Sequence, residues 1–159
     1  ELVEAHANDW IAARAAAEAT FYLGNQGHLA TITSAEENDF IGAALLEGAS
    51  HRMYWLGGIQ PTGSVEPDRN WQWITGEAWS FENWKTGEPN DAQGQEDVLQ
   101  IYAHVPDYPE WFGQWNDAYE YEDSVNLGGY IVEYVPEPAT LSFLAIGIGA
   151  LAARRRTSK

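Results

Sequence analysis

The spacing of apolar residues divides the chain into a helical first part and a longer β-rich part. In an alanine-rich run, apolar residues recur at helical spacing at Trp10, Ala13, Ala17 and Phe21. Asn8 or Asp9 can cap this run. The pattern therefore predicts a first helix over residues 10–21.

A strand and a second helix are predicted next. Residues 28–33 alternate and are rich in β-branched side chains, which is typical of a strand. Ser34 and Glu37 form a capping box that opens a helix, and Gly48 is a stop signal. Four residues of this helix are expected to face inward: Phe40, Ile41, Ala44 and Leu45.

The rest of the chain predicts strands joined by large loops. Short apolar runs at 53–59, 71–74, 98–102 and 130–134 are separated by stretches rich in Gly, Pro, Asn and Asp. We interpret them as antiparallel strands. The stretch 75–96 has little periodicity, and loops of that length inside a domain usually have a function.

Composition limits the partners. The chain has 159 residues, enough for one domain, and eight Trp residues that can supply an aromatic core. Its formal net charge is −16, and only four basic residues precede residue 154. Such a surface repels phosphate backbones, so we expect no nucleic-acid partner and a preference for hard cations.

Oxygen-bearing side chains cluster in and after the long loop. They are Glu88, Asn90, Asp91, Glu96, Asp97, Asn116 and Asp117. Calcium takes roughly 6–8 oxygen ligands, whereas zinc and copper prefer Cys or His. The chain has no Cys, and its four His residues are dispersed. The alternative is an ordinary solvated acidic loop.

Three motifs in this region decide between those readings. Glu88-Pro89-Asn90, then Glu96-Asp97, then Trp115-Asn116-Asp117 resemble the calcium-dependent carbohydrate-binding signature of C-type lectins. The likeness extends over most of the chain from Trp10 to Tyr134. It implies an α+β fold of the C-type lectin-like class, with two helices flanking antiparallel sheets and a long calcium-binding loop, over residues 1–134.

The resemblance also implies the site residues. One Ca²⁺ ion would be held by Glu88, Asn90, Glu96, Asn116 and Asp117. Asp91 and Asp97 match positions that bind an auxiliary ion in some members, and Glu66 or Asp68 would complete that site. The sugar would be bound by Glu88, Asn90, Glu96 and Asn116, with Trp111 as the stacking candidate. The Glu-Pro-Asn order is similar to the variant that prefers the vicinal diols of mannose, glucose, GlcNAc and fucose.

Two departures from the family pattern stand out. The family usually carries two disulfides, but Val98 and Val132 occupy positions where half-cystines are common. Only Leu2 and Val3 represent the strand that would precede the first helix. Glu1 is not an initiator Met, so we expect processing or truncation at this end.

Residues 135–159 are expected to lie outside the core. Their motif at 135–140, uncharged run at 141–153 and basic end at 154–159 resemble the PEP-CTERM signal of Gram-negative bacteria, and the matching positions are Pro136, Glu137, Pro138, Arg154, Arg155 and Arg156. The resemblance implies export, processing by an exosortase, and location on the outer surface or in the extracellular matrix. The alternative is a simple membrane anchor.

The uncharged run sets the expected membrane contact. At 1.5 Å per residue, its thirteen residues make a helix of roughly 20 Å, short of the roughly 30 Å bilayer core. We therefore expect a transient helix in the inner membrane, with the arginines on the cytoplasmic side. Membrane contact is expected only through this tail.

The leading function is calcium-dependent binding of an exopolysaccharide or a cell-surface glycan. The alternative is a protein-interaction or calcium-binding domain on the same fold, because this fold hosts many functions. An enzyme is disfavoured, since the acids are assigned to a metal and no Gly-x-Ser-x-Gly or phosphate-binding loop occurs.

Overall fold

A mixed sheet of short strands forms the centre of the molecule. The computed structural model describes residues 1–5, 9–103, 105–121 and 125–135. Its helices are α1 (Trp10–Glu18) and α2 (Ala35–Ile41), the latter continued by a π-helical turn, Gly42–Leu46. The strands are β1 (Leu2–Glu4), β2 (Phe21–Tyr22), β3 (Asn25–Leu29), β4 (Met53–Ile59), β5 (Gln72–Trp73), β6 (Val98–Tyr102), β7 (Trp115–Ala118) and β8 (Leu127–Tyr134).

The strand order is β2-β3-β8-β4-β6-β7, with β1 paired to β8 and β5 to β4. Every described pairing is antiparallel except that of β4 with β8, which is parallel. The predicted α+β class is confirmed. The predicted antiparallel arrangement is confirmed for the other strand pairs, and β4 with β8 is the parallel exception.

The first helix is shorter than its apolar spacing predicts. Asp9 caps it by accepting hydrogen bonds from the N–H groups of Ile11 and Ala12. At the other end the Thr20 hydroxyl donates to the Ala17 carbonyl at 2.6 Å and helps to end the helix. Phe21 therefore lies on β2 and is 68% exposed, so the prediction that the first helix extends to Phe21 is wrong.

The second helix begins as predicted, but its buried face shifts. The Ser34 hydroxyl accepts the Glu37 N–H, and Gly48 follows the helix with φ near +89°. The π-helical turn adds a residue to one turn, so Leu46 is fully buried while Leu45 is partly buried and packs against the core. Phe40 and Ala44 are exposed, contrary to expectation, whereas Ile41 is buried.

Trp115 is fully buried and organises the aromatic core. Four rings lie with centroids 5.6–5.8 Å from its own: Trp73, Trp79, Phe81 and Trp84. Its indole Nε1 donates to Asn38 Oδ1 at 2.9 Å, which ties α2 to β7. Its backbone N–H donates to the Asn83 carbonyl, and its own carbonyl accepts the Lys85 N–H. Trp115 thus holds both α2 and the long loop.

The valines at the family's half-cystine positions are buried. Val98 and Val132 belong to one apolar cluster with Trp10, Leu29 and Trp55. Apolar packing therefore occupies positions where the related domains commonly have disulfides. At the N-terminus, Glu4 accepts hydrogen bonds from Ser50 and Tyr54, which lower its pKa to about 2.

The sorting tail lies outside the described residues. This applies to Pro136, Glu137, Pro138, Arg154, Arg155, Arg156 and the uncharged run 141–153. Among the helices that the structure does describe, none has the length and apolar character needed to cross a membrane.

Replacing Asn38 with alanine tests the link between α2 and β7. The Trp115 indole would lose its Asn38 acceptor, while the Gly113 carbonyl would keep Asn83 as a donor. We expect the free energy of unfolding to fall by about 1–3 kcal/mol, measured by chemical denaturation. Asp39→Ala, exposed on the same helix, should change it by less than about 0.5 kcal/mol. Equal effects of the two variants would contradict the anchoring role.

Candidate functional site

The long loop brings residues that are distant in sequence beside the ends of β6 and β7. Asn83 Nδ2 donates to the Gly113 carbonyl at 2.8 Å, and a β-bridge joins Trp84 to Trp115. The loop then passes the Glu88–Pro89 peptide bond, which is cis. Hydrogen bonds from the backbone of residues 90 and 91 reach β7 and fix this segment there.

Asp117 is the most buried acid of the site, with 1% of its surface exposed. Its Oδ2 accepts the N–H groups of Asn90 at 2.8 Å and Asp91 at 2.7 Å. Its Oδ1 is buried and has no hydrogen-bond partner. Burial raises the pKa of Asp117, although these backbone donors oppose the shift. One buried oxygen of Asp117 therefore has no hydrogen bond to use its lone pairs.

Glu88 and Asn90 face each other across the proline. Glu88 Oε2 accepts a hydrogen bond from Asn90 Nδ2, and Glu88 Oε1 pairs with Lys85 Nζ at 2.9 Å. The side chains of Lys85 and Glu88 are 15% and 9% exposed, so solvent screens this ion pair only weakly. Lys85 thus supplies the positive charge nearest to the Glu88 carboxylate.

Asn116 lies on β7 next to Asp117. Its Nδ2 donates to the Asp117 carbonyl, and its Oδ1 accepts the Tyr102 hydroxyl at 3.3 Å. The amide is thereby oriented from both ends. Asn116, Asp117, Glu88 and Asn90 consequently form one group around the end of β7.

Glu96 lies at the end of the long loop, two residues before β6, and approaches the same group. Its Oε2 accepts the Ala92 N–H at 2.7 Å, and its own N–H donates to Asp91 Oδ1 at 3.2 Å. Burial raises the pKa of Glu96 to about 7, and the negative charges of Asp117, Glu88 and Asp91 contribute. Carboxylates are crowded here to a degree that disfavours their joint ionisation.

The residues expected at an auxiliary site divide into two groups. Burial raises the pKa of Glu66, and the negative charges of Asp91, Asp97 and Asp117 raise it further. Glu66 therefore interacts electrostatically with the acids of the site. Asp97 has a raised pKa for the same reasons, burial and Asp91. Asp68 instead lies 3.4 Å from the guanidinium of Arg69.

Within the described part of the chain, no group of three or more His, Cys, Asp or Glu side chains could hold a metal ion. The carboxylates of Glu88, Glu96 and Asp117 accept hydrogen bonds from protein donors instead. The only other side-chain oxygens in the proposed set are the amide oxygens of Asn90 and Asn116. Three carboxylates alone therefore do not form a metal site here, and any site would also need the amide oxygens of the two Asn residues.

An aromatic stack adjoins the group. The Tyr108 and Trp111 rings are parallel to within 6° at a centroid distance of 4.3 Å, and Lys85 Nζ lies 5.0 Å from the Trp111 ring centroid. Tyr108 is 47% exposed. The sequence reasoning selected Trp111 but missed Tyr108 and Lys85. Lys85 could have been noticed as the only basic residue between Arg69 and Arg154, three positions before Glu88.

Two family models match the chain. One, described as "Lectin C-type domain", covers residues 12–125, and the other, the PEP-CTERM protein-sorting motif, covers residues 135–156. Both resemblances drawn from the sequence are confirmed. A lectin domain implies carbohydrate binding, and a sorting motif implies export.

Curated relatives agree. The chain is 32% identical over 98 residues to mouse C-type lectin domain family 4 member G, a match that covers 61% of this chain and 29% of the relative. It is 30% identical over 106 residues to a lectin of Pleurodeles waltl, covering 64% and 56% of the two chains. The chain thus spans less than two thirds of the length of either relative.

Solved structures agree on the fold. The cow C-type carbohydrate-recognition domain of CD23, solved in the presence of GlcNAc2Man3 oligosaccharide, matches with a TM-score of 0.56 and 28% identity, covering 81% of this chain and 82% of that one. The lectin CEL-I from Cucumaria echinata matches with a TM-score of 0.64 and 17% identity, covering 81% and 84%. With the domain model spanning most of its length, this chain belongs to the C-type lectin domain family and carries a PEP-CTERM sorting motif after that domain.

Proposed function

We propose that the domain binds carbohydrate through one Ca²⁺ ion held by oxygens of Glu88, Asn90, Glu96, Asn116 and Asp117. The observation that carries the proposal is the buried Asp117 Oδ1, which has no hydrogen-bond partner at the centre of a crowded acidic group. A buried polar atom without a partner is costly unless a ligand satisfies it. A cation is the ligand that suits a carboxylate oxygen.

The donor set favours calcium over other metals. It combines carboxylate and amide oxygens and contains neither sulfur nor imidazole, which zinc and copper prefer. The raised pKa values of Glu96 and Asp117 also favour a bound cation, because a divalent cation would offset the burial and mutual repulsion of these acids. Lys85 competes for Glu88, so its ion pair should weaken calcium binding.

The same side chains are suited to bind a pair of sugar hydroxyls. When bound, calcium supplies coordination positions that two vicinal hydroxyls can fill. Glu88 and Glu96 accept hydrogen bonds from the hydroxyls, whereas the amides of Asn90 and Asn116 can donate to them. The Glu-Pro-Asn order supports a preference for mannose-type diols, including those of glucose, GlcNAc and fucose.

An aromatic contribution comes from the stack beside Glu88. One face of Trp111 is covered by Tyr108, and Lys85 approaches the same indole. The exposed part of Tyr108 therefore extends the stacking surface that the sequence assigned to Trp111 alone. Stacking against a sugar ring would add affinity without selecting the diol.

We predict that calcium raises the thermal midpoint of the detergent-solubilised full chain, followed by tryptophan fluorescence. A ligand that binds only the folded form stabilises it by about 2.7 kcal/mol at a hundredfold excess over Kd. Asp117→Asn removes the charge at the unpartnered oxygen and should abolish the shift. Lys85→Met should preserve it and lower the calcium concentration required.

A midpoint indifferent to millimolar calcium and to chelator would overturn the metal site. The domain would then be the alternative that the fold allows, an interaction domain without calcium. A calcium-independent type II antifreeze protein is among the structural neighbours, with a TM-score of 0.55 and 21% identity. At that identity the likeness shows the fold alone.

A second prediction exchanges Glu88→Gln together with Asn90→Asp. The formal charge is unchanged, and the hydrogen bond between the two side chains can persist with donor and acceptor reversed. The order of hydrogen-bond donor and acceptor that the two side chains present to the sugar diol is reversed as well. We expect preference to move from mannose toward galactose, with about 1–3 kcal/mol for each mispaired polar group, measured by competition binding.

Trp111→Ala is the matched control for this exchange. It should weaken binding of both sugars by a similar factor and leave their ratio unchanged. If the double variant retains calcium and competes with mannose and galactose as the parent does, the sugar binds elsewhere than at Glu88 and Asn90.

For the tail, we propose export followed by exosortase processing, with the domain delivered to the outer surface or extracellular matrix of a Gram-negative cell. The matched sorting motif over residues 135–156 supports this. The glycan partner would then be an exopolysaccharide or a cell-surface glycan. The inner membrane would hold the precursor only transiently.

Replacing Arg154, Arg155 and Arg156 with alanine should slow processing, because the arginines hold the tail's end on the cytoplasmic side. Immunoblotting of membrane and released fractions should show the longer precursor accumulating. Lys159→Ala, a basic residue outside the cluster, should have little effect. Equal release of the triple variant and the parent would exclude a sorting role for the arginines.

A further inference from the structure

The hairpin formed by β2 and β3 ends in a cluster of exposed apolar side chains. Phe21, Tyr22 and Leu23 are 68%, 60% and 85% exposed, and we call residues 21–24 the hairpin tip. Leu23 adopts a left-handed conformation with φ near +51°, which is costly for residues other than Gly and Asn. The two-residue turn of the hairpin requires the positive φ of Leu23 and Gly24, but it favours Asn or Gly there, and at 85% exposure the leucine side chain contributes almost nothing to the core.

The hairpin tip lies where the domain passes into the tail. The Tyr22 and Tyr134 ring centroids are 5.7 Å apart, and Gly27 of β3 pairs with Tyr134, the last residue of β8. Val135 follows and is 44% exposed. The apolar residues of the tip therefore flank the point from which the chain continues to residue 136.

The length of the connection limits how far this end can be from a bilayer. Five residues, 136–140, separate Val135 from the uncharged run, and five extended residues span at most about 18 Å. If the uncharged run enters the membrane, as the proposed sorting function requires, the hairpin tip is held close to the lipid surface.

We propose that the hairpin tip inserts into the lipid surface of the bilayer while the tail tethers the chain. Aromatic and leucine side chains are favoured at the boundary between headgroups and acyl chains. A run of thirteen apolar residues is short for a span, and weak membrane signals commonly act in pairs. The sequence predicted membrane contact through the tail alone, and the hairpin tip adds a second contact.

The charges around the hairpin tip define the lipid. Glu1 accepts the Tyr134 hydroxyl at 3.0 Å, and Glu133 lies opposite His28 in the register of β3 with β8. Glu18, which precedes β2, is paired with Arg14 at 2.7 Å, so Glu1 and Glu133 carry the negative charge at this end. These carboxylates would be repelled by anionic headgroups. The tip therefore suits a zwitterionic lipid surface, and anionic lipid should weaken its insertion.

Labelling at cysteine provides a direct test, because the chain has no Cys. The full-length Leu23→Cys variant, carrying an environment-sensitive NBD fluorophore, is reconstituted into phosphatidylcholine vesicles. Val65→Cys is the matched control, since Val65 is also apolar and is 66% exposed. We expect a blue-shifted label at position 23 that spin-labelled lipid quenches at least threefold more than the label at position 65. Adding phosphatidylglycerol should reduce this difference.

Vesicle flotation separates this inference from the tail function on which it rests. If the chain fails to float with vesicles, tethering by the tail fails and the inference fails with it. If the chain floats but the labels at 23 and 65 are equally exposed to water, tethering stands and insertion of the tip is overturned. Energy transfer between labelled copies without lipid quenching would also overturn it, in favour of self-association.

An unlabelled variant keeps the result independent of the fluorophore. Phe21→Ser combined with Leu23→Ser alters only exposed positions, so the thermal midpoint should be unchanged. We expect its carbonate-resistant membrane fraction to fall at least threefold relative to the parent. A fraction equal to that of the parent would contradict the proposal.

Discussion

The burial of Trp115 is the constraint on which the rest of the molecule depends. Its ring is enclosed by four aromatic neighbours, its indole N–H is satisfied by Asn38, and its backbone holds the long loop through Asn83 and Lys85. A loop with so little regular structure has few hydrogen bonds of its own. The position of the loop therefore depends on a residue that immediately precedes the two site residues of β7.

This placement explains why the acids can be crowded. The backbone N–H groups of residues 90 and 91 bind Asp117 only because the loop is fixed against β7, and Glu96 lies at the end of the same loop, two residues before β6. Burial and mutual repulsion then raise the pKa values of Glu96 and Asp117. Packing around Trp115 thus keeps the carboxylates of the site close together despite their mutual repulsion. A bound cation would offset that repulsion.

The domain achieves this without disulfides. Val98 and Val132 are packed in a single apolar cluster, and β1 is secured by Glu4 through Ser50 and Tyr54. Because the chain has no Cys, apolar burial and hydrogen bonds hold these regions together. The exposed apolar residues of the hairpin tip take no part in this packing. We therefore assign them a role in membrane contact.

The amino-acid sequence alone determined the family, the α+β class, and the order of the three motifs, because these depend on local residue types and spacing. It also placed β4 and β6 correctly, since a continuous apolar run favours a buried strand. Tertiary structure decided what depends on contacts between distant segments. Phe21 leaves the helix to join a hairpin, the π-helical turn makes Leu46 the fully buried leucine beside the partly buried Leu45, and β8 pairs in parallel with β4. Lys85 meets Glu88, and Tyr108 stacks on Trp111, because folding of the loops brings them together. No periodicity encodes such pairings, since their energies arise only once the segments are packed.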